Sequence, residues 1–468
     1  MNSYQRKITG ALLVATFLSA IEGTIISTAT PAIVKSLGGL DLISWVFAIY
    51  LLTSAVTTPI FGKLADLFGR KKVFIVGTSI FLLGSLICGF SQNMGQLILF
   101  RGLQGIGAGA VIPITFTIIG DIFTYEQRAK VQGLISSIWG IAGLFGPLVG
   151  GSLVDYVSWH WIFFINLPFG LISIWIIGKH LEEKIEKQNR NIDYGGAITF
   201  TIGTTAILYV LLSGQFNSML TYVLLIVAIL FLAVFVFIQF KHPEPIIPFK
   251  LFQYRVILVS NIVAFLASVI VIGVTTYIPL WTQTVLDKGA IFSGFVLLPM
   301  SIGWPLGATF GSRLLIKFGP KIISLIGTFL VTLGSFALTF ITISSPIWMF
   351  TCIIFIMGLG FGFSMTVFTI VVQSAVGWNL RGAATSSNTF VRTLGQALGV
   401  AVLGTYLNQH LGTSTNMSQV SSTSLATGIH GIFIIMACIG VISFILTFLV
   451  PKKIEQENAE ESNLATEK

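Results

Sequence analysis

Charge is what this chain has least of. Charged side chains make up 9% of its 468 residues, well below the roughly 25% of soluble domains, and only 17 are Asp or Glu. Cysteine is nearly absent. The three present, Cys88, Cys352 and Cys438, all fall inside apolar runs, which excludes a disulfide framework and a cysteine metal site. Five scattered His residues show no metal-ligand spacing, and no P-loop or Ser/His/Asp set is visible. An enzyme, an ATP-driven pump and a need for any cofactor are therefore not expected. The net charge of +9 invites a nucleic-acid reading, but its distribution argues against one, as shown below.

Apolar residues are what is abundant, at 54%, with 39 Phe and 48 Gly. Apolar runs near the 20 or so residues that span a bilayer recur along the chain. They lie near 8–34, 43–63, 72–90, 95–120, 131–154, 160–180, 194–214, 219–240, 257–283, 291–316, 320–342, 345–373, 382–408 and 430–450. With the N-terminus inside, 22 of the 26 Lys and Arg fall in cytoplasmic segments. Only Lys35 and Lys288 fall outside, and Arg101 and Arg392 fall within spans. That is the positive-inside bias. The expected fold is an all-α integral membrane protein of fourteen spans, with both termini cytoplasmic.

The charged segment 181–193 splits the chain after six spans. Gly62–Lys72 and Ser312–Lys321 form a weak internal repeat when Phe68-Gly69 is aligned on Phe318-Gly319. The expected organisation is a six-helix bundle over 1–180, a loop over 181–193 and two additional helices over 194–240. A linker over 241–256, a second six-helix bundle over 257–450 and a disordered acidic tail over 451–468 complete it. Repeated halves with a site between them are a transporter architecture.

Several motifs then coincide in order. Gly62-Lys-Leu-Ala-Asp66-Leu-Phe-Gly-Arg70-Lys-Lys72 resembles the loop motif of the major facilitator superfamily, with Leu67 where Arg is usual. Arg101 with the Gly-rich stretch 102–109 resembles its span-four motif. Gly146-Pro147-x-x-Gly150-Gly151 resembles its antiporter motif. Trp159 to Gly170 resembles the segment opening span six, with His160 in place of Arg. Together these resemble the fourteen-helix drug:proton antiporters of that superfamily. The resemblance implies proton-coupled efflux of hydrophobic, often cationic, drugs by a monomer in the cytoplasmic membrane of a bacterium, with protons as coupling ion and lipid as surroundings. A metabolite facilitator or symporter of the same fold, and a transport-inactive sensor, remain alternatives.

Scarce polar residues then carry the chemistry. Glu22 is the one acid near the middle of a span, where a charge costs roughly 2.5–3.5 kcal/mol on insertion scales. It is the expected proton carrier, and the resemblance assigns Arg101 to bias it. The family pattern makes Asp66, Arg70 and Asp121 a gating latch, with the helix opening near Arg381-Gly382 as its far side. Pro147 removes a backbone hydrogen bond, and Gly143, Gly146, Gly150 and Gly151 would let helices slide. Trp139, Tyr277, Gln283, Trp304, Gln373, Asn388 and Arg392, with Glu22, are candidates to line the substrate cavity. The Gly105-Ile-Gly-Ala-Gly109 run imitates a nucleotide fingerprint but lies inside an apolar helix, so it is read as packing.

Overall fold

The computed structural model describes residues 1–38, 42–183, 193–213, 218–243, 245–247, 249–288, 290–411 and 422–452. Among these there is no β-strand. That follows from the composition: lipid offers no hydrogen-bond partner, so an apolar segment must satisfy its backbone internally as helix.

The helices are α1 (Ser3–Leu37), α2 (Ile43–Phe68), α3 (Arg70–Cys88), α4 (Met94–Ile122), α5 (Tyr125–Tyr156), the short α6 (Trp161–Phe164) and α7 (Asn166–His180). They continue with α8 (Tyr194–Ser213), α9 (Met219–Lys241), α10 (Arg255–Leu280), α11 (Ala290–Leu338), α12 (Ile347–Ser374), α13 (Trp378–Leu411) and α14 (Ser422–Thr447). Among the described residues, nine helical stretches are long and apolar enough to cross a membrane. The boundaries shift by a few residues from the sequence expectation. The largest difference is α14, which begins at Ser422 rather than 430.

Polar side chains mark several helix starts. Asn93 Oδ1 accepts from Gln96 N at 2.9 Å before α4, and Asp193 Oδ1 accepts from Gly196 N at 2.6 Å before α8. Two glycines in the left-handed region break the rods. Gly69 (φ 94°) separates α2 from α3, and Gly319 (φ 77°) interrupts α11. These are the two positions that the internal repeat aligns. A π-helical turn, Trp281–Val285, extends α10.

Two large cores organise the packing. One gathers Ile8, Leu12, Phe74, Val111, Ile114 and Ile177 from α1, α3, α4 and α7. The other gathers Val263, Ile270, Phe361 and Phe433 from α10, α12 and α14. Contact between the two groups runs through α2 against α13 and α5 against α11. The α8–α9 hairpin sits outside both. Helix α8 touches α2 and α13, whereas only 17% of the most apolar window of α9 is buried, against 78% for α4 and α12. Helix α9 therefore turns most of its surface to lipid.

Helix α4 shows how the glycine run packs. A Cβ on Gly105 would fall 2.5 Å from Tyr50 O on α2, and one on Gly107 would fall 2.6 Å from Gly77 O on α3. Gly109 returns to α2, 2.7 Å from Ser54 O on the same construction. The alternating glycines wedge α4 between two backbones, as small residues do in membrane bundles.

Candidate functional site: a buried ion pair and an interhelical latch

Glu22 on α1 and Arg101 on α4 meet as an ion pair between Glu22 Oε1 and Arg101 Nη1. Both side chains are buried. Such a pair must have its remaining donors and acceptors satisfied, or desolvation outweighs the attraction. Here most are. Asn166 Nδ2 on α7 donates to Glu22 Oε2 at 2.9 Å and lies 2.9 Å from Ser85 Oγ on α3. Arg101 donates through Nε to Val46 O at 3.2 Å and through Nη1 to Gln104 Oε1 at 2.8 Å. Its guanidinium lies 4.1 Å from the centre of the Tyr50 ring, a cation–π contact. Two amide atoms of this cluster, Gln104 Nε2 and Asn166 Oδ1, are buried without a hydrogen-bond partner among the described residues. The centre is thus a carboxylate and a guanidinium held by five helices, with spare polar capacity beside them.

The second constellation closes the end of the bundle where α2 turns into α3. Arg70 Nη2 donates to Asp66 Oδ1 at 2.7 Å, and Arg70 Nε to Asp121 Oδ2 at 3.0 Å. Asp66 also reaches the start of α13, accepting from Gly382 N at 3.2 Å and Ala383 N at 2.8 Å. A carboxylate on helix N-terminal amides is a favourable arrangement in both hydrogen bonding and dipole. Asp121 Oδ1 accepts from Arg381 Nη1 at 2.7 Å, and the same nitrogen donates to Gly120 O at 2.8 Å. Two further bonds cross the same boundary, Gln373 Nε2 to Phe116 O at 3.0 Å and Arg128 Nη1 to Ser374 Oγ at 3.1 Å. Below Arg70, the Glu183 carboxylate accepts from Arg70 N at 2.7 Å and Lys71 N at 3.2 Å. Gly62 makes the approach possible, since a Cβ there would strike Ser386 on α13.

The third feature is the seam between α5 and α11. Helix α5 runs unbroken from Tyr125 to Tyr156. Its close approaches to α11 are Gly133 against Thr309, Gly140 against Ser301 and, of the glycines expected from sequence, Gly143 against Ser301. Gly146 and Gly150 are buried. The side chain of Pro147, and whatever surrounds Gly151, lie outside the described residues.

Comparisons with known proteins meet this geometry from another side. The family model described as Major Facilitator Superfamily matches residues 12–400. The chain belongs to the Major Facilitator Superfamily. It is similar to the multidrug transporter protein MdtP of Bacillus subtilis, 37% identical over 86% of this chain and 75% of that protein. It is also similar to multidrug resistance protein 3 of the same organism, 37% identical over 84% of this chain and 78% of the relative. The multidrug efflux pump SdrM of Staphylococcus aureus is 31% identical over 84% and 88%. Among solved structures, the human organic anion transporter MFSD10 superposes with a TM-score of 0.69 over 96% of this chain and 100% of its own. At 13% identity that likeness shows the fold alone. The protein is a multi-pass membrane transporter of this superfamily, not an enzyme.

The residues expected to line the transporter's cavity make the following contacts among the described residues. Gln373 is engaged in the bond to Phe116 across the latch end. Tyr277 lies in the core of the second helix group, and Trp304 stacks on Phe361 at 5.3 Å. Asn388 is buried, donating through Nδ2 to Asn261 Oδ1 at 2.8 Å. Trp139 is exposed on α5, and Arg392 is half-buried on α13. The side chain of Gln283 lies outside the described residues. Four contributors were not singled out from sequence: Asn166, Gln104, Glu183 and the Arg381 side chain. The first two are rare polar residues in apolar runs, which was the available signal.

Proposed function

We propose that this chain is a proton-coupled exporter of hydrophobic, often cationic, drugs. It alternates between inward- and outward-open states across the cytoplasmic membrane. The chain crosses the membrane fourteen times with both termini inside. It is organised as six helices (1–180), a hairpin (194–240) and six more (257–450), and it acts as a monomer. The buried Glu22–Arg101 pair carries this reading, because it joins the one mid-span acid to a cation it must leave on protonation. The multidrug names of the relatives support the substrate class.

In the proposed cycle a proton entering from outside neutralises Glu22 and breaks its ion pair. Arg101 then rests on Val46 O, Gln104 and Tyr50. The inward-open state requires the Asp66–α13 and Asp121–Arg381 contacts to part, and releasing the proton inside restores the pair. The membrane potential drives the proton's entry, at roughly 2.3 kcal/mol per charge per 100 mV. The test is pH-gradient-driven accumulation of a cationic dye in everted vesicles, with wild type and Glu22→Gln at equal protein level. Wild type concentrates the dye and Glu22→Gln does not. Undiminished uphill transport by Glu22→Gln refutes the assignment. Sidedness is tested by cysteine labelling at positions 217 and 415, which the proposed topology places outside.

A further inference from the structure

A cavity of about 270 Å³ opens where α10 begins, α11 breaks and α14 ends. Arg255, Lys321 and Lys452 line it together with Tyr254, Phe448 and Leu449, and no acidic side chain is among the described residues lining it. None of these three cations has an ion-pair partner among the described residues. Three cations around one cavity raise their mutual energy, and an anion placed among them would relieve it.

The walls are built from ordered backbone. After α14 the chain turns tightly, Leu449 N donating to Leu446 O at 3.0 Å and Val450 N to Thr447 O at 3.0 Å, and Val450 is buried. It then presses against the α11 break, where a Cβ on Gly319 would fall 2.8 Å from Lys452 O. Two helix N-termini also face this region: α10 starts at Arg255 without a side-chain cap, and α11 resumes after Gly319. Their dipole ends are positive and add to the attraction for an anion.

An apolar surface continues from the cavity. Ile322 and Ile326 on α11, Ile445 on α14, and Phe448 and Leu449 in the turn just after it are all exposed. Apolar surface beside a basic cavity fits a phosphate headgroup with acyl chains. We infer that this cavity binds the headgroup of an anionic phospholipid, whose chains lie along α11 and α14. Arg255, Lys321 and Lys452 hold the phosphate. The inference rests on the proposed orientation only for its leaflet, which is then the cytoplasmic one, where basic segments meet anionic lipid.

The experiment uses the full chain in detergent, with lipid retention read by native mass spectrometry and stability by thermal unfolding. Probes are phosphatidylglycerol, phosphatidylcholine and inorganic phosphate. Wild type retains phosphatidylglycerol in preference to phosphatidylcholine and unfolds at higher temperature with it. Arg255→Gln/Lys321→Gln/Lys452→Gln loses that preference by about a hundredfold, from roughly fivefold per basic residue. Should the triple variant fold poorly, single Lys321→Gln gives about a fivefold loss. Equal retention of both lipids by wild type, or undiminished preference in the variants, overturns the inference. So does an equal stabilisation by phosphate alone, which makes this a small-anion pocket. Retention that appears only after removal of residues 453–468, which carry Glu455, Glu457, Glu460, Glu461 and Glu467, assigns the cavity to the chain's own tail and overturns it too. Detergent binding does not report sidedness, so failure of the topology leaves this result standing.

Discussion

Removing one member of the Glu22–Arg101 pair separates stability from coupling, and its size can be worked out. Glu22→Gln takes away the counter-charge and leaves Arg101 buried. Breaking a buried pair costs roughly 3–5 kcal/mol. The low end applies, because Val46 O, Gln104 Oε1 and the Tyr50 ring still hold the guanidinium. Arg101→Leu is milder, about 2 kcal/mol, because Asn166 still donates to the remaining Glu22 side chain. With both charges gone, the double variant loses about 1 kcal/mol relative to wild type, since an apolar replacement of a buried pair is close to neutral. The single losses sum to about 5 kcal/mol, so the coupling is about 4 kcal/mol. The assay is unfolding of detergent-solubilised protein for all four members of the cycle at fixed pH. A double variant as unstable as the summed singles would refute the reasoning, because the two charges would then not be stabilising each other.

Asp66→Asn retains one acceptor for the α13 amides but loses the charge facing Arg70. It shifts the closed-to-open balance of the latch by about thirtyfold, or about 2 kcal/mol, slowing transport while leaving membrane insertion intact; turnover with matched surface expression checks this. Gly105→Leu forces a side chain into the α2 backbone at Tyr50 and lowers stability by about 1–3 kcal/mol, read from thermal unfolding. His160 lies in the loop before α6, where burial holds its imidazole below the ordinary value of 6.5. The unfolded chain therefore binds the proton more readily, and stability present above about pH 6.5 is lost as pH falls. The unfolding midpoint of wild type should drop more than that of His160→Gln between pH 8 and pH 5.5.

The helices were legible because lipid allows an apolar segment one regular structure, and its length is set by the bilayer. Glu22 and the latch acids were legible for the opposite reason: a charge in such a chain is costly enough to need a purpose. What escaped was identity of partner. Asn166 is 144 residues from Glu22 in sequence, and Arg381 is 260 from Asp121, so no spacing rule could join them. Nor does a stretch of glycines say which backbone each one meets; Gly105, Gly107 and Gly109 take opposite neighbours because a helix turns 100° per residue. The cavity expectation rests on a weaker signal. Aromatic and amide residues on helix faces are as useful in packing as in binding, and Trp304 and Asn388 are held by neighbours on their own side.

In the proposed fourteen-span topology the α8–α9 hairpin has a consequence of parity. Successive helices alternate in direction across a bilayer, so inserting one would invert everything that follows it. A pair returns the chain to the side it left. Because α9 meets mostly lipid and α8 rests against surfaces already formed by α2 and α13, the pair adds length without displacing a neighbour from either core. The Asp193–Gln239 contact, with Gln239 Oε1 accepting from Ile247 N at 3.0 Å, clasps the hairpin's two ends and the linker beyond at one level. A chain could therefore gain or shed these two helices in one step, with the direction of every later helix, and so the facing of Asp66 and Asp121 onto α13, left as it was.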